Sequence, residues 1–389
     1  MDRRERRVMA HIASLQPLEA LYAEGLSPDD VKEVLLELFT PYSENHDALG
    51  HYVVNFLVGD AITLSTIQDS AWAMQLLQEA LRVHRAAIAA DREFSLRMLG
   101  ERIVEESAAL STYWSQYHLA RELEDLALEE FVHESMRLIG TLIEGTLKPF
   151  LYGLAHQVRI ARGQRPTVQE VNALTLGNAL ELLIQFAPAA DYYSLRHVRL
   201  SQWRNIAQHF TARVRDNTVI CTYQDGRAEV ELTRDDLLAV VVDVAKAYNA
   251  LKVAHALVFF DHLDEMRDAD MLCEPDVRPE ASLTVLASAL ASQGFRIVDA
   301  SFTDEHSQLV VQDVSRLDPA DRRFHTTQFV IPLFLHRQAA RVTVEYRERD
   351  GTPSFRTSAT RELLERAQEA DDWHLVARES ELTDLKART

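Results

Sequence analysis

The chain is poor in cysteine, glycine and positive charge, and each shortage closes off a class of explanation. Cys221 and Cys273 are the only cysteines in 389 residues, too few for a disulfide framework and unsuited to a zinc site. A reducing cytoplasm is the expected compartment. The twelve glycines fall into neither common glycine-rich phosphate loop, so nucleotide or dinucleotide binding has no support. A serine elbow and a cysteine-nucleophile setting are also missing. With no run of about 18 apolar residues, no membrane-spanning helix is expected. The start, "MDRRERRVMAHIASLQPLEALYAEG", is basic but lacks the apolar core and cleavage site of a secretory signal. Lys and Arg number 41 against 60 Asp and Glu, a net charge of −19. That argues against a broad electropositive surface for nucleic acid. Any contact with a polyanion has to be local.

What is present is a globular composition, 47% hydrophobic and 26% charged, at a length that suggests two or three domains. Helical periodicity dominates to about residue 260. Ser27 is placed as the N-cap of "SPDDVKEVLLELFTPY", with Pro28 and two acids in the first turn. Further helices are expected in "SAWAMQLLQEALRVHRAAIAA", "SLRMLGERIVEESAALSTYWSQY" and a long segment from Leu119 to Gly163, with a break near Gly145 or Pro149. Thr167 with Glu170 makes a capping box for "TVQEVNALTLGNALELLIQF", which the linker "APAADYY" follows. "SLRHVRLSQWRNIAQHF", Ser194 to Phe210, reads as one amphipathic helix. Asp225-Gly226 then centres a β-hairpin over about 217–232. Thr233 with Asp236 starts another long helix. After the linker "CEPDVRPE" the pattern becomes α+β. A helix closed by Gly294 precedes four strands, "FRIVDASF", "SQLVVQDVS", "TTQFVIPLFLH" and "RVTVEYRE", in a mainly antiparallel sheet. "ATRELLERAQEADDWHLV" is a final helix.

On a helical wheel of about 100° per residue, Leu195, Val198, Trp203, Ile206 and Phe210 share a sector of about 140°, the core face. Arg204, Gln208, Asn205 and His209 form a polar arc beside it. Such a set suits cleavage of an RNA phosphodiester. His209 can take the proton of a ribose 2′-OH, its ordinary pKa of about 6.5 matching the task. Arg204 can grip the phosphate and offset growing charge, and Asn205 can orient the imidazole. The plain alternative is a polar helix end with a C-terminal cation. Arg196, Arg199, Arg213 and Arg215 can supply a local basic strip for an RNA backbone, and His197 can support it. Glu144 and Lys148, one turn apart, read first as a helix-surface ion pair. His262 among Asp261, Asp264, Glu265, Asp268 and Asp270, and the trio His46, Asp47 and His51, lack the spacing of a known metal site. They read as solvated helix ends.

The hexapeptide "RNIAQH" resembles the Arg-(Asn/Asp/His)-x-x-x-His signature of the HEPN superfamily, helical domains common in prokaryotic RNases and toxins. "LIEGTLKPFLYGL", "LTLGNALELL" and the hairpin with "QDGRAEVELTRDDLLAVV" resemble the elements around that signature. The resemblance spans about residues 125–255. Gln208 departs from it, because many relatives carry a small residue before the histidine. The resemblance implies a catalytic set of Arg204, Asn205 and His209; Glu144, Lys148 and His197 are candidates for support from their positions alone. It implies metal-independent endoribonuclease cleavage, giving a 2′,3′-cyclic phosphate and a 5′-OH. No cofactor or metal is called for. Partners implied are RNA, a homodimer mate or second HEPN-bearing chain, and an inhibitor or sensor protein, without a membrane. A toxin or antiviral effector fits that picture, and a non-catalytic HEPN scaffold or partner-binding subunit is the other expectation. The architecture expected is mainly α. An N-terminal helical region (1–120) precedes a HEPN-like helical domain with a β-hairpin (121–265) and a smaller C-terminal α+β domain (276–389).

Overall fold

Several helix starts in this chain are set by Ser and Thr side chains. In the computed structural model, which describes residues 16–117, 123, 125–187, 193–273, 279–370 and 372–386, Ser27, Thr167 and Thr233 each cap a helix. Each accepts a backbone N–H three residues on, while Asp30, Glu170 and Asp236 return the bond. These reciprocal bonds satisfy donors that a helix start otherwise leaves orphaned. The chain is mainly α with a C-terminal α+β part. Most of the linkers "APAADYY" and "CEPDVRPE" lies outside the described residues.

The chain clusters into two units. The first draws on Met1–Pro41, Leu49–Ile62 and Val277–Thr389, the second on Tyr42–Ala48 and Thr63–Asp276. Elements are numbered along the chain: α1 (Gln16–Glu24), α2 (Pro28–Phe39), α3 (His46–Phe56), α4 (Val58–Ile67), α5 (Ala71–Ala90) and α6 (Arg92–Tyr117). Next come α7 (Leu128–Leu142), a π-helical turn (Ile143–Leu147), α8 (Lys148–Ala161), α9 (Val168–Asn172) and α10 (Leu176–Phe186). A small hairpin, β1 (Ser194–Leu195) and β2 (Val198–Arg199), leads into α11 (Leu200–His209). The sheet β3 (Ala212–Arg215), β4 (Thr218–Tyr223) and β5 (Ala228–Leu232) precedes α12 (Arg234–Asp261) and α13 (Leu263–Asp268).

In the second unit α8 packs on α5, α6 and α10, while α7 packs on α11 and α12. Thus α5 and α6, read from the sequence as N-terminal, share a unit with the signature helix. Phe131, Val132, Met136, Leu138, Ile139 and Leu142 bury one stripe of α7, the spacing that an amphipathic helix requires. The break expected near Gly145 or Pro149 is a π turn. Thr146 Oγ1 there donates to the Leu142 carbonyl, and Pro149 follows at the start of α8. Glycine is needed at 145 because an added Cβ would stand 2.8 Å from Thr112 Cγ2 on α6. "TVQEVNALTLGNALELLIQF" is two helices, not one. Thr175 accepts from Asn178 N and caps α10 afresh, diverting the backbone that would have joined them.

A polar seam is buried in this unit. Arg102, 1% exposed, donates from Nε to His156 Nδ1 at 3.4 Å, and His156 Nε2 faces the Pro166 carbonyl at 2.8 Å. The guanidinium cannot accept, so the imidazole is neutral with its proton on Nε2. Burial, with Arg102 adding, lowers the His156 pKa to about 4. Burial with nearby His255 lowers that of His84 to about 3.

The first unit contains α14 (Pro279–Ser292), β6 (Phe295–Phe302), β7 (His306–Asp313), α15 (Pro319–His325), a 3₁₀ turn (Thr326–Phe329) and α16 (Val330–Arg337). It continues through β8 (Arg341–Arg347), β9 (Pro353–Thr360), α17 (Arg361–Glu369), α18 (His374–Glu379) and β10 (Glu381–Asp384). The strand order is β10-β9-β8-β7-β6, antiparallel except for β7 with β8. "TTQFVIPLFLH" is helical and not a strand. A short apolar run does not declare its period, and here Val330, Leu333 and Phe334 bury one helix face. The closing segment, expected as one helix, is α17 and the start of α18, and β10 follows it.

Candidate functional site

The signature helix is shorter than its sequence suggested. Ser194–Arg199 form β1 and β2 instead of two helical turns, with Arg196 and His197 at the tip in left-handed conformation (φ 50° and 64°). The reason lies in Trp203. Its indole is fully buried and needs an acceptor, and Nε1 donates to the Leu195 carbonyl at 2.9 Å. A helix through this segment would use that carbonyl for its own ladder. Leu200 N also donates to the Tyr193 carbonyl at 2.8 Å. His197 therefore occupies a turn and does not lie on the signature helix.

Within α11, Leu200, Trp203 and Ile206 are buried, Arg204 and Asn205 half-buried, Gln208 and His209 exposed. Leu195 and Val198 are buried as expected. Phe210 is not. It ends the helix at φ 49°, ψ 51° with its side chain 44% exposed, because the left-handed turn takes it off the wheel.

Four of the expected residues meet. Arg204 Nε donates to Glu144 Oε1 in a close ion pair. Its Nη1 donates to Asn205 Oδ1 at 3.1 Å, and Lys148 Nζ donates to Glu144 Oε2 at 2.9 Å. Glu144 is thus more than half of a surface pair: it holds two cations, one from α8 and one from α11. Burial alone raises its pKa, but hydrogen bonds and charge from Lys148 and Arg204 outweigh this and hold it below the ordinary value. Lys148 also lies 5.4 Å over the Tyr152 ring centroid.

The remaining candidates stand apart from that cluster. His209, at the end of α11, has neither a hydrogen bond nor an ion pair among the described residues. Arg196 pairs with Asp236 at 3.2 Å, Arg199 with Glu181 at 3.3 Å, Arg213 with Glu229 at 2.8 Å and Arg215 with Glu231 at 3.6 Å. The basic strip is locally neutralised. His262 Nδ1 lies 3.3 Å from Arg92 Nη2, a cation where a metal would have to approach. Among the described residues no three His, Cys, Asp or Glu side chains are grouped to hold a metal ion, and no helix is long and apolar enough to cross a membrane.

Sequence reasoning missed His133. Its ring lies 5.1 Å from that of Phe210, and it begins the outward stripe of α7 that runs by helical spacing through Arg137 and Thr141 to Glu144. Comparison with protein-family models, curated proteins and solved structures finds no match for this chain.

Proposed function

We propose that the chain is a metal-independent endoribonuclease of HEPN type. The observation that carries this reading is the pairing on one helix of a restrained arginine with an unencumbered histidine. Arg204 is held half-buried by Glu144 and Asn205, while the exposed His209 imidazole lacks a partner among the described residues. His209 removes the 2′-OH proton, the 2′-oxygen attacks phosphorus, and the 5′-oxygen leaves, protonated from solvent. The products are a 2′,3′-cyclic phosphate and a 5′-OH. Arg204 binds the scissile phosphate and balances its charge. A second copy, or a second chain with the same signature, closes the cleft. A toxin or antiviral role in the cytoplasm belongs to the same proposal.

One observation favours the other reading, a non-catalytic partner-binding subunit. Each arginine of the basic strip already has a carboxylate within 3.6 Å, so the surface beside the signature offers little free positive charge to RNA. The two readings separate when RNA is incubated in EDTA with purified wild-type, His209→Ala and Arg204→Ala proteins. Cleavage by wild type that falls about 100-fold or more in each variant supports the enzyme. Equal rates in all three, or intact RNA throughout, reject it.

A further inference from the structure

We propose that Phe210 and His133 form a platform on which an unpaired RNA base stacks, at one end of a helix–helix seam whose other end is the Arg204–Glu144–Lys148 cluster. The inference rests on the ribonuclease reading and names the form of RNA that its site takes. It begins with a conformation. Nine non-glycine residues among those described have positive φ; eight are polar or charged, and Phe210 is the apolar exception. Asn and Asp tolerate this region best, whereas a bulky apolar residue there is strained; here it forms the left-handed stop of α11, with Phe210 N and Thr211 N both donating to the Ile206 carbonyl. The residue stays 44% exposed, so its ring is only partly buried. The ring packs on that of His133, centroids 5.1 Å apart and planes inclined by 53°. The pair is a supported aromatic surface open to solvent, directly after His209 in the chain.

The seam is set by α7 and α11, which pack together and run antiparallel. His133 meets Phe210, Gly140 approaches Ala207, and Glu144 meets Arg204. A Cβ on Gly140 would lie 3.3 Å from Ala207 Cβ, so the two helices meet closely through small side chains midway between the two ends. Phe210 lies six residue steps beyond Arg204, about 9 Å along a helix axis, a length on the scale of one nucleotide. A base on the platform and a phosphate at the cation cluster therefore fit one single strand. A duplex hides its base faces and does not fit. Stacking on an aromatic ring needs no sequence readout, so the platform selects unpaired RNA and not a particular base.

The test uses the full chain in the His209→Ala background and a short single-stranded RNA carrying 2-aminopurine. Binding is expected to quench the fluorescence. Phe210→Ala and Phe210→Gly are both expected to weaken binding about tenfold or more and to abolish the quench, with Phe210→Tyr close to the parent. Phe210→Gly relieves the left-handed conformation, so a loss shared with Phe210→Ala, in protein that melts at or above the parent temperature, reports the ring and not misfolding. Unchanged affinity and quench in both variants overturn the platform. So does a loss of self-association in sedimentation with RNA binding intact, which makes the ring a protein contact. If wild type cleaves RNA yet Phe210 proves indifferent, only the platform falls. If RNA is neither bound nor cleaved, the ribonuclease reading falls with it.

Discussion

At the scale of single residues, the clearest energetic role belongs to Glu144. It is a quarter exposed and binds both Lys148 and Arg204, so breaking the pairs costs more than at an open surface but less than in a dry core. Glu144→Gln is expected to lower stability by about 1 kcal/mol, read as a shift in denaturant midpoint. Because the folded-state pKa of Glu144 is depressed, its contribution is present above the ordinary value of 4.5 and is lost as pH falls below it. A variant whose acid profile matches the parent in that range would show the pairs to be idle. Cysteine makes a second residue-scale prediction. Cys273 is exposed, whereas Cys221 is buried and its thiol is pushed up to about 12 by burial. Under native conditions one thiol is expected to react quickly and the other only after unfolding; two fast thiols would contradict the fold around β4. Individual caps were legible in sequence because Ser27, Thr167 and Thr233 act within three residues. Phe210 was not. A wheel assumes that the helix continues, and no glycine marked the left-handed stop.

At the scale of elements, the entrance to the signature helix depends on Trp203, which joins α11 to β1 through the Leu195 carbonyl. Trp203→Ala removes a fully buried indole and is expected to cost about 3–5 kcal/mol. Trp203→Phe keeps most of the volume but orphans the carbonyl, and should cost less. Equal losses would mean that the hydrogen bond alone matters and the packing does not. Gly100 tests the packing of α6. A Cβ there would stand 2.0 Å from the Met271 backbone oxygen, so Gly100→Ala is expected to destabilise by at least about 1–3 kcal/mol in a thermal melt. The hairpin around Asp225-Gly226 was readable because its turn residues declare it. The β1–β2 turn was not, since Arg196 and His197 are not turn residues by type. "TTQFVIPLFLH" failed for a different reason: burial on one helix face and on one strand face draws on the same residues.

At the scale of the whole molecule, the sequence conveyed the mainly helical character and the α+β C-terminal part, but not the partition into two units assembled from separated segments. Composition changes along the chain, whereas contacts between distant segments leave no local mark. β9, "PSFRTSAT", illustrates this: it is small and polar in sequence, yet it lies inside the five-stranded sheet. The buried seam gives this scale its prediction. His84 and His156 are neutral in the fold with pKa values lowered to about 3 and about 4 from 6.5. Stability from both is fully present above 6.5 and is lost as pH falls through these lowered values. The unfolded chain takes up the protons first, so the loss begins just below 6.5. Each histidine contributes up to about 1.4 kcal/mol per pH unit in that window. His156→Gln is expected to flatten the slope of unfolding free energy against pH just below 6.5, where carboxylates remain ionised. An unaltered slope would contradict the neutral buried imidazole. The central claim meets its most direct test in the ends of the RNA products. Incubated in EDTA with single-stranded RNA, the protein is predicted to leave 2′,3′-cyclic phosphate and 5′-OH ends, and to spare a strand 2′-O-methylated throughout. Products with 3′-OH and 5′-phosphate ends, cleavage of the methylated strand, or no cleavage would contradict the roles given to His209 and Arg204.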